Sequence, residues 1–177
     1  MKKHWFLAVC ATLLLSCNSN SSQEPVAAPP SPTPTATSAA ADPLPQVDSL
    51  TFGEIDLSGC GMTLYASGSN PLKDGFYLFS GFVDPEVPPK ADGSMRMKLN
   101  GEIVNFTRTA TSGEAIPGGQ FTFQTFVSED NRTTVTVETS PAVSSGEPEA
   151  NGLPEATITV TRDGQETTVD AVGDTGC

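Results

Sequence analysis

The sequence predicts an all-β fold, either an antiparallel β-sandwich or a small barrel of about eight or nine strands. The prediction depends on the region from residue 47 to 177. Apolar and polar residues alternate there in short segments, which is typical of strands with one buried face. Gly, Pro, Asn and Asp bound these segments, and no long stretch shows helical periodicity. Sandwich and barrel fit this pattern equally well, so the sequence leaves that choice open.

The clearest element is a hairpin around the Asn-Gly dipeptide at residues 100–101, which favours a two-residue type I′ turn. This turn predicts that Met97 pairs with Val104 and that Met95 pairs with Phe106. These apolar side chains then share one face, and the other face is polar apart from one isoleucine. The register imposed by the turn therefore agrees with burial of one face.

A second hairpin is predicted around Asp-Gly at residues 163–164. It pairs Val160 with Thr167 and Ile158 with Val169, again with one largely apolar face. The opposite face is rich in threonine, and we interpret it as a solvent-exposed face.

Further strands are predicted at residues 51–57, 62–66, 76–82, 121–127 and 133–139. The segment FYLFSGF within 76–82 lacks alternation, which indicates a strand covered on both faces. Together with the two hairpins, these segments account for the predicted strand count.

The first 16 residues have the architecture of a signal peptide: a short basic start, an apolar run and a small residue before a cysteine. The apolar run covers residues 5–15, whereas a helix that crosses a bilayer needs about 20 residues. We therefore expect this segment to be cleaved rather than retained.

The segment Leu14-Leu15-Ser16-Cys17 resembles the lipobox of bacterial lipoprotein precursors. The resemblance implies cleavage after residue 16 and acylation of Cys17, with diacylglycerol and palmitate as the kind of lipid expected. Two or more chains hold a protein stably on a membrane. The residue after the cysteine is Asn18 rather than aspartate, which by the same resemblance favours the outer membrane over the inner in a Gram-negative bacterium. The alternative is an ordinary secretory signal that contains a cysteine.

Residues 17–46 are dominated by Ser, Ala, Thr and Pro, and seven of the chain's 15 prolines lie between Pro25 and Pro45. Such a segment has too few large apolar groups to offset the entropy of ordering, and its prolines favour extended conformations. We predict a lipidated N-terminus and tether over 17–46 and an all-β domain over 47–177.

Cysteine usage predicts one disulfide. Cys10 leaves with the signal peptide and Cys17 takes the lipid, so Cys60 and Cys177 remain. An even pair in an oxidising compartment favours a disulfide. The alternative is two free thiols or a shared metal, although two cysteines without histidine make a poor zinc site.

Composition narrows the chemistry of the mature chain. The single histidine, His4, and the single tryptophan, Trp5, both lie in the signal peptide. Their loss removes histidine-assisted catalysis, histidine metal ligands and haem ligation. Seven Lys and Arg then remain against 21 Asp and Glu, and so acidic a surface disfavours nucleic-acid binding. We expect no catalytic residues and no cofactor.

One loop is a weak candidate for calcium binding. Its carboxylates, Asp84, Glu86 and Asp92, lie within nine residues but do not match the EF-hand spacing. We interpret this proline-rich loop as solvated rather than metal-bound.

These observations favour a membrane-anchored lipoprotein of the bacterial cell envelope with a non-catalytic binding or structural role. Its expected partners are the membrane, through the acyl anchor, and an envelope protein or glycan. Two alternatives stay open: a carboxylate-dependent glycan hydrolase, and a calcium-dependent adhesion or stability module.

The predicted Cys60–Cys177 disulfide closes a loop of more than 100 residues, for which chain entropy gives about 4 to 5 kcal/mol of stabilisation. Mass spectrometry of the non-reduced chain should detect no free thiol at either position, and reduction should expose both and lower the melting temperature. Alkylation of either cysteine in non-reduced protein would contradict the pairing.

Overall fold

A computed structural model describes residues 43–55, 60–81, 94–146 and 150–176. Within these residues the chain is almost entirely antiparallel β-structure. The ten strands are β1 (Val47–Asp48), β2 (Gly61–Tyr65), β3 (Leu78–Gly81), β4 (Met95–Leu99), β5 (Glu102–Ile116), β6 (Gln120–Ser128), β7 (Thr133–Thr139), β8 (Val143–Ser144), β9 (Ala150–Arg162) and β10 (Gln165–Gly176).

Eight of these strands form a closed barrel, which resolves the choice that the sequence left open. Each barrel strand pairs with the next one along the chain, from β2 to β10, and β10 returns to pair with β2. Strands β1 and β8 lie outside this ring and pair with β4 and β9. Closure leaves the eight barrel strands without unpaired edges.

Both predicted hairpins are confirmed in register. Met97 pairs with Val104 and Met95 with Phe106, as the Asn-Gly turn requires, and the second hairpin pairs Val160 with Thr167. All four turn residues have positive φ, between 50° and 81°, which is the type I′ conformation that these dipeptides favour.

The predicted strand at 51–57 is wrong over its described part. Phe52–Glu54 is a 3-10 helix instead, and the β-structure of this region is the short strand β1. The reason is local: the backbone N–H of Thr51 donates to Glu54 Oε2 at 2.7 Å, which forms a capping box. The motif T-x-x-E was the missed signal.

The same turn is fixed to the outer face of β4. Lys98 Nζ lies 2.8 Å from Glu54 Oε1, and Arg96 Nη1 donates to the Glu54 carbonyl at 3.0 Å. The hydrogen bond from Lys98, with those from Thr51, lowers the pKa of Glu54 to about 2. The segment before the barrel is therefore attached to it by charge as well as by β1.

The described chain has one α-helix, α1 (Pro71–Asp74), between β2 and β3. No helix among the described residues has the length and hydropathy needed to cross a membrane.

The main core fills the barrel interior. Alternate residues of the strands point inward, as the period-two pattern predicts. The buried members are Met62, Leu64, Leu78, Met95, Met97, Leu99, Phe106, Ile116, Phe126, Val135, Val137, Leu153, Ala156, Ile158, Val160 and Ala171. The described side chains therefore pack against one another inside the barrel.

A second, smaller cluster covers the outside of β2 and β3. Leu50, Ile55 and Phe76 are buried there, with Tyr65 and Phe79 packed against them. The rings of Tyr65 and Phe76 meet edge to face with centroids 6.2 Å apart. This cluster explains why FYLFSGF lacks alternation: over residues 76–79, side chains on both faces have apolar neighbours.

Closure between β2 and β10 depends on a close backbone approach at Gly173. This residue pairs with Leu64 next to a β-bulge in β10. A Cβ atom at position 173 would lie 2.0 Å from the carbonyl oxygen of Thr63 and 2.7 Å from Leu64 Cδ2. Because the first of these neighbours is backbone, the strands would have to move apart.

We therefore expect Gly173→Ala to lower the free energy of unfolding by about 2 kcal/mol or more, as overpacked sites do. Gly53→Ala is the matched control, because a Cβ there meets nothing within 4 Å; it should change stability by less than about 0.5 kcal/mol. Urea unfolding measures both, and equal midpoints would show that the closure tolerates a side chain.

Candidate functional site

Five buried polar side chains gather inside one end of the barrel. We call this set the polar cluster: Ser80, Arg108, Gln120, Gln124 and Thr175. Arg108 is 9 % exposed and the other four are 0 to 2 % exposed. Buried polar groups destabilise a folded protein unless they are hydrogen-bonded, so the partners of these five side chains determine what the cluster contributes.

The β5–β6 hairpin brings this cluster together. β5 carries two irregularities, between Arg108 and Ala110 and between Ser112 and Ala115, which bend the hairpin. Its turn, residues 117–119, reaches the β2–β10 end of the barrel, where Thr175 Oγ1 donates to the Pro117 carbonyl at 2.6 Å. The turn thus lies over the pair of strands that closes the barrel.

Gln120 connects the hairpin to β3. Its Nε2 donates to the carbonyl of Gly81 at 2.9 Å and to that of Gly118 at 3.0 Å. Its Oε1 lies 3.0 Å from Ser80 Oγ. Both ends of the amide are therefore satisfied, and this residue acts as a structural crosslink between the turn and the barrel wall.

Arg108 lies on the inner face of β5, across from Phe126 of β6. Its Nη1 donates to the Gly119 carbonyl at 2.7 Å and to Gln124 Oε1 at 2.9 Å. The guanidinium carbon is 5.6 Å from the centre of the Phe121 ring, a cation–π contact. Burial lowers the pKa of this guanidinium from its usual value, but an arginine stays charged in a protein.

Gln124 has one satisfied end and one unsatisfied end. Its Oε1 accepts from Arg108, whereas its Nε2 is buried and has no hydrogen-bond partner among the described residues. Exchanging the two ends would place an N–H group against the cation, so this amide orientation is electrostatically required. The cluster therefore holds an unused donor beside a positive charge.

The closing strands are also joined by a half-buried contact at Tyr65, four residues along β2 from Gly61. The hydroxyl of Tyr65 in β2 donates to Asp174 Oδ2 in β10 at 2.9 Å. Burial, followed by the hydrogen bond and charge of Asp174, raises the pKa of Tyr65 to about 12. The tyrosine thus stays neutral and a donor at physiological pH.

An acidic groove of about 510 Å³ lies elsewhere on the surface, across β7, β9 and β10. Glu138 and Asp170 flank Thr157 in the strand register, on the threonine-rich outer face. Glu155 adds a third carboxylate to the lining, and none of the lining residues is aromatic. The groove groups carboxylates without the aromatic floor that stacks on sugars.

Most residues that the sequence analysis singled out lie outside the described residues. These are Cys17, Cys177 and the three loop acids Asp84, Glu86 and Asp92. Within the described ranges, no three His, Cys, Asp or Glu side chains are grouped to hold a metal ion. Cys60 is described, directly before Gly61, which pairs with Gly176 at the β2–β10 end.

The polar cluster was not predicted from sequence. Arg108 had a usable signal: continuing the Asn-Gly hairpin register two residues beyond Phe106 places Arg108 on the apolar face. Gln120 and Gln124 had a weaker signal, because Phe121 and Phe123 compete with them for the inner face of the same strand. The bend of the hairpin decides that competition.

No family model matches this chain, and no curated protein and no solved structure matches it either.

Gln120→Leu should lower the free energy of unfolding by about 2 to 4 kcal/mol, because it removes the amide donor of the Gly81 and Gly118 carbonyls and one of the two partners of the buried Ser80 hydroxyl. Gln165→Leu near the opposite turn is the control, because this half-buried side chain makes no hydrogen bond with the described residues. Chemical unfolding measures both variants. A Gln120→Leu protein as stable as the control would show that water replaces the amide at no cost.

Proposed function

We propose that this chain is a lipid-anchored protein of the bacterial cell envelope whose barrel is a non-catalytic binding domain. The observation that carries the binding role is the polar cluster, in which a buried cation and a buried amide donor lie side by side at one end of a rigid, filled barrel. A packed wall holds such donors in fixed positions, as binding sites require.

The anchor is supported by sequence. The segment Leu14-Leu15-Ser16-Cys17 resembles a lipobox, and the proline-rich residues 17–46 suit a tether between lipid and barrel. The asparagine after Cys17 favours the outer membrane. In this proposal the acyl chains provide attachment, and the acidic barrel is held away from anionic lipid head groups.

We also propose the Cys60–Cys177 disulfide as part of this design. Strands β2 and β10 pair down to Gly61 and Gly176, which immediately adjoin the two cysteines in sequence. Opposed residues in antiparallel strands have Cα atoms about 4.5 to 5.5 Å apart, a spacing that a disulfide accepts. The bond would lock the strands that close the barrel.

The hydrolase alternative has one supporting observation, the acidic groove with Glu138, Glu155 and Asp170. Its lining without aromatic residues favours the binding proposal over it. Hydrolysis of a polysaccharide that is lost in Glu138→Gln or Asp170→Asn would reverse this preference. The calcium-dependent module depends on Asp84, Glu86 and Asp92, and a calcium-dependent rise in melting temperature would support it.

Metabolic labelling with a fatty-acid analogue tests the anchor. The wild-type chain should carry label and fractionate with membranes, whereas Cys17→Ser should lose at least about nine tenths of the label, because a hydroxyl forms no thioether. Cys10→Ala is the matched control, since Cys10 belongs to the segment expected to be removed; it should label normally. Equal label in the wild type and in Cys17→Ser would refute the anchor.

A further inference from the structure

We propose that Arg108 and Gln124 form a site for the carboxylate group of a ligand at the β5–β6 end of the barrel. This inference rests on the proposed binding function and names the chemistry of its ligand. It is carried by two observations on the described residues, a cation without a counterion and an amide donor without an acceptor, and the two side chains are in contact through the amide oxygen.

The first observation is the missing counterion. Arg108 is 91 % buried, and no carboxylate of the described residues lies within 4.0 Å of its guanidinium, although ion pairs of this length occur at Lys98, Arg132 and Arg162. Its two hydrogen-bond acceptors, the Gly119 carbonyl and the Gln124 amide oxygen, are both neutral. A cation taken out of water without a counterion is unfavourable, and an anionic ligand removes that penalty.

The geometry of the guanidinium identifies the shape of that ligand. Both internal hydrogen bonds use Nη1, while Nε and Nη2 make none with the described residues. The Nε–Nη2 edge presents two parallel N–H groups, which match the two oxygens of a carboxylate. The proposed ligand would have to reach this edge through the 9 % of Arg108 that stays exposed.

The second observation is the unpartnered donor of Gln124. Its side chain is fully buried and its Nε2 has no partner among the described residues, while its Oε1 lies 2.9 Å from Arg108 Nη1. A buried N–H group without an acceptor is rare in folded proteins. The Gln124 amide lies on the Nη1 side of the guanidinium, so it adds a hydrogen-bond donor next to the group that would bind the carboxylate.

Charge favours a carboxylate over phosphate or sulfate. The described cluster contains a single positive charge, which neutralises a monoanion. A dianion would keep one negative charge away from water, which is unfavourable. The chain as a whole is strongly acidic, with a formal net charge of −12, and repels a dianion more than a monoanion.

The test uses the full-length chain in detergent, titrated with sodium acetate, sodium sulfate or sodium chloride at constant ionic strength. Acetate should shift the Arg108 Nε–H and Gln124 Nε2–H NMR signals saturably, with a midpoint of about 1 to 10 mM, as expected of so small a ligand. It should also raise the melting temperature. Sulfate and chloride should do neither at matched concentration.

Two variants remove the site in different ways. Arg108→Gln removes the charge and should weaken acetate binding at least about tenfold. Gln124→Glu supplies an internal carboxylate at the position that already accepts from Nη1; it should weaken acetate binding similarly and raise the melting temperature without acetate. Arg162→Gln is the control, since it removes the same charge from a partly exposed position beside Asp163 and should bind acetate normally.

The outcomes separate this inference from its premise and from a structural role for Arg108. Equal effects of the three salts, or unchanged acetate binding in Gln124→Glu and Arg108→Gln, would overturn the site and leave Arg108 as a support for the turn. Loss of acetate binding in both variants but not in Arg162→Gln supports it. Acetate binding in a chain that carries no lipid would refute the anchor alone, and lipidation without acetate binding would refute the site alone.

Discussion

The pairing of β2 with β10 is the contact on which the rest of this structure depends. The other neighbouring barrel strands follow one another along the chain, but this pair joins residues more than 100 positions apart. Without it the chain would be an open meander with two exposed edges, and its apolar face would lack an opposing wall. Glycine at position 173 lets the two backbones approach closely enough to form the pair.

The polar cluster is a consequence of the same closure. Thr175 of β10 donates a hydrogen bond to the turn of the β5–β6 hairpin, and this turn covers the barrel end above Arg108. Gln120 holds the turn from the other side through Gly81. These hydrogen bonds fix the hairpin in place, and the low dielectric constant beneath it strengthens any charge interaction of the arginine.

The binding role proposed for this end of the barrel and the stability of the fold place opposite demands on it. Gln120 is fully paired and adds rigidity, whereas Arg108 and Gln124 keep donors that have no acceptor among the described residues. A fold that minimised its own free energy would pair or remove those donors. Their retention inside a well-packed wall supports the proposed binding role over a purely structural one.

The sequence by itself determined the local elements of this protein. Asn-Gly and Asp-Gly turns set the registers of two hairpins, because a two-residue turn specifies which residues are opposite each other. It did not predict the 3-10 helix at Phe52–Glu54 or the extension of β5 to Ile116, where polar residues hide the strand pattern.

Only the tertiary structure decided between sandwich and barrel, since the β2–β10 pair leaves no short-range signal. For the same reason it alone revealed the polar cluster: Ser80, Arg108 and Thr175 become neighbours through closure and the bend of the hairpin, and neither event is encoded in the residues next to them.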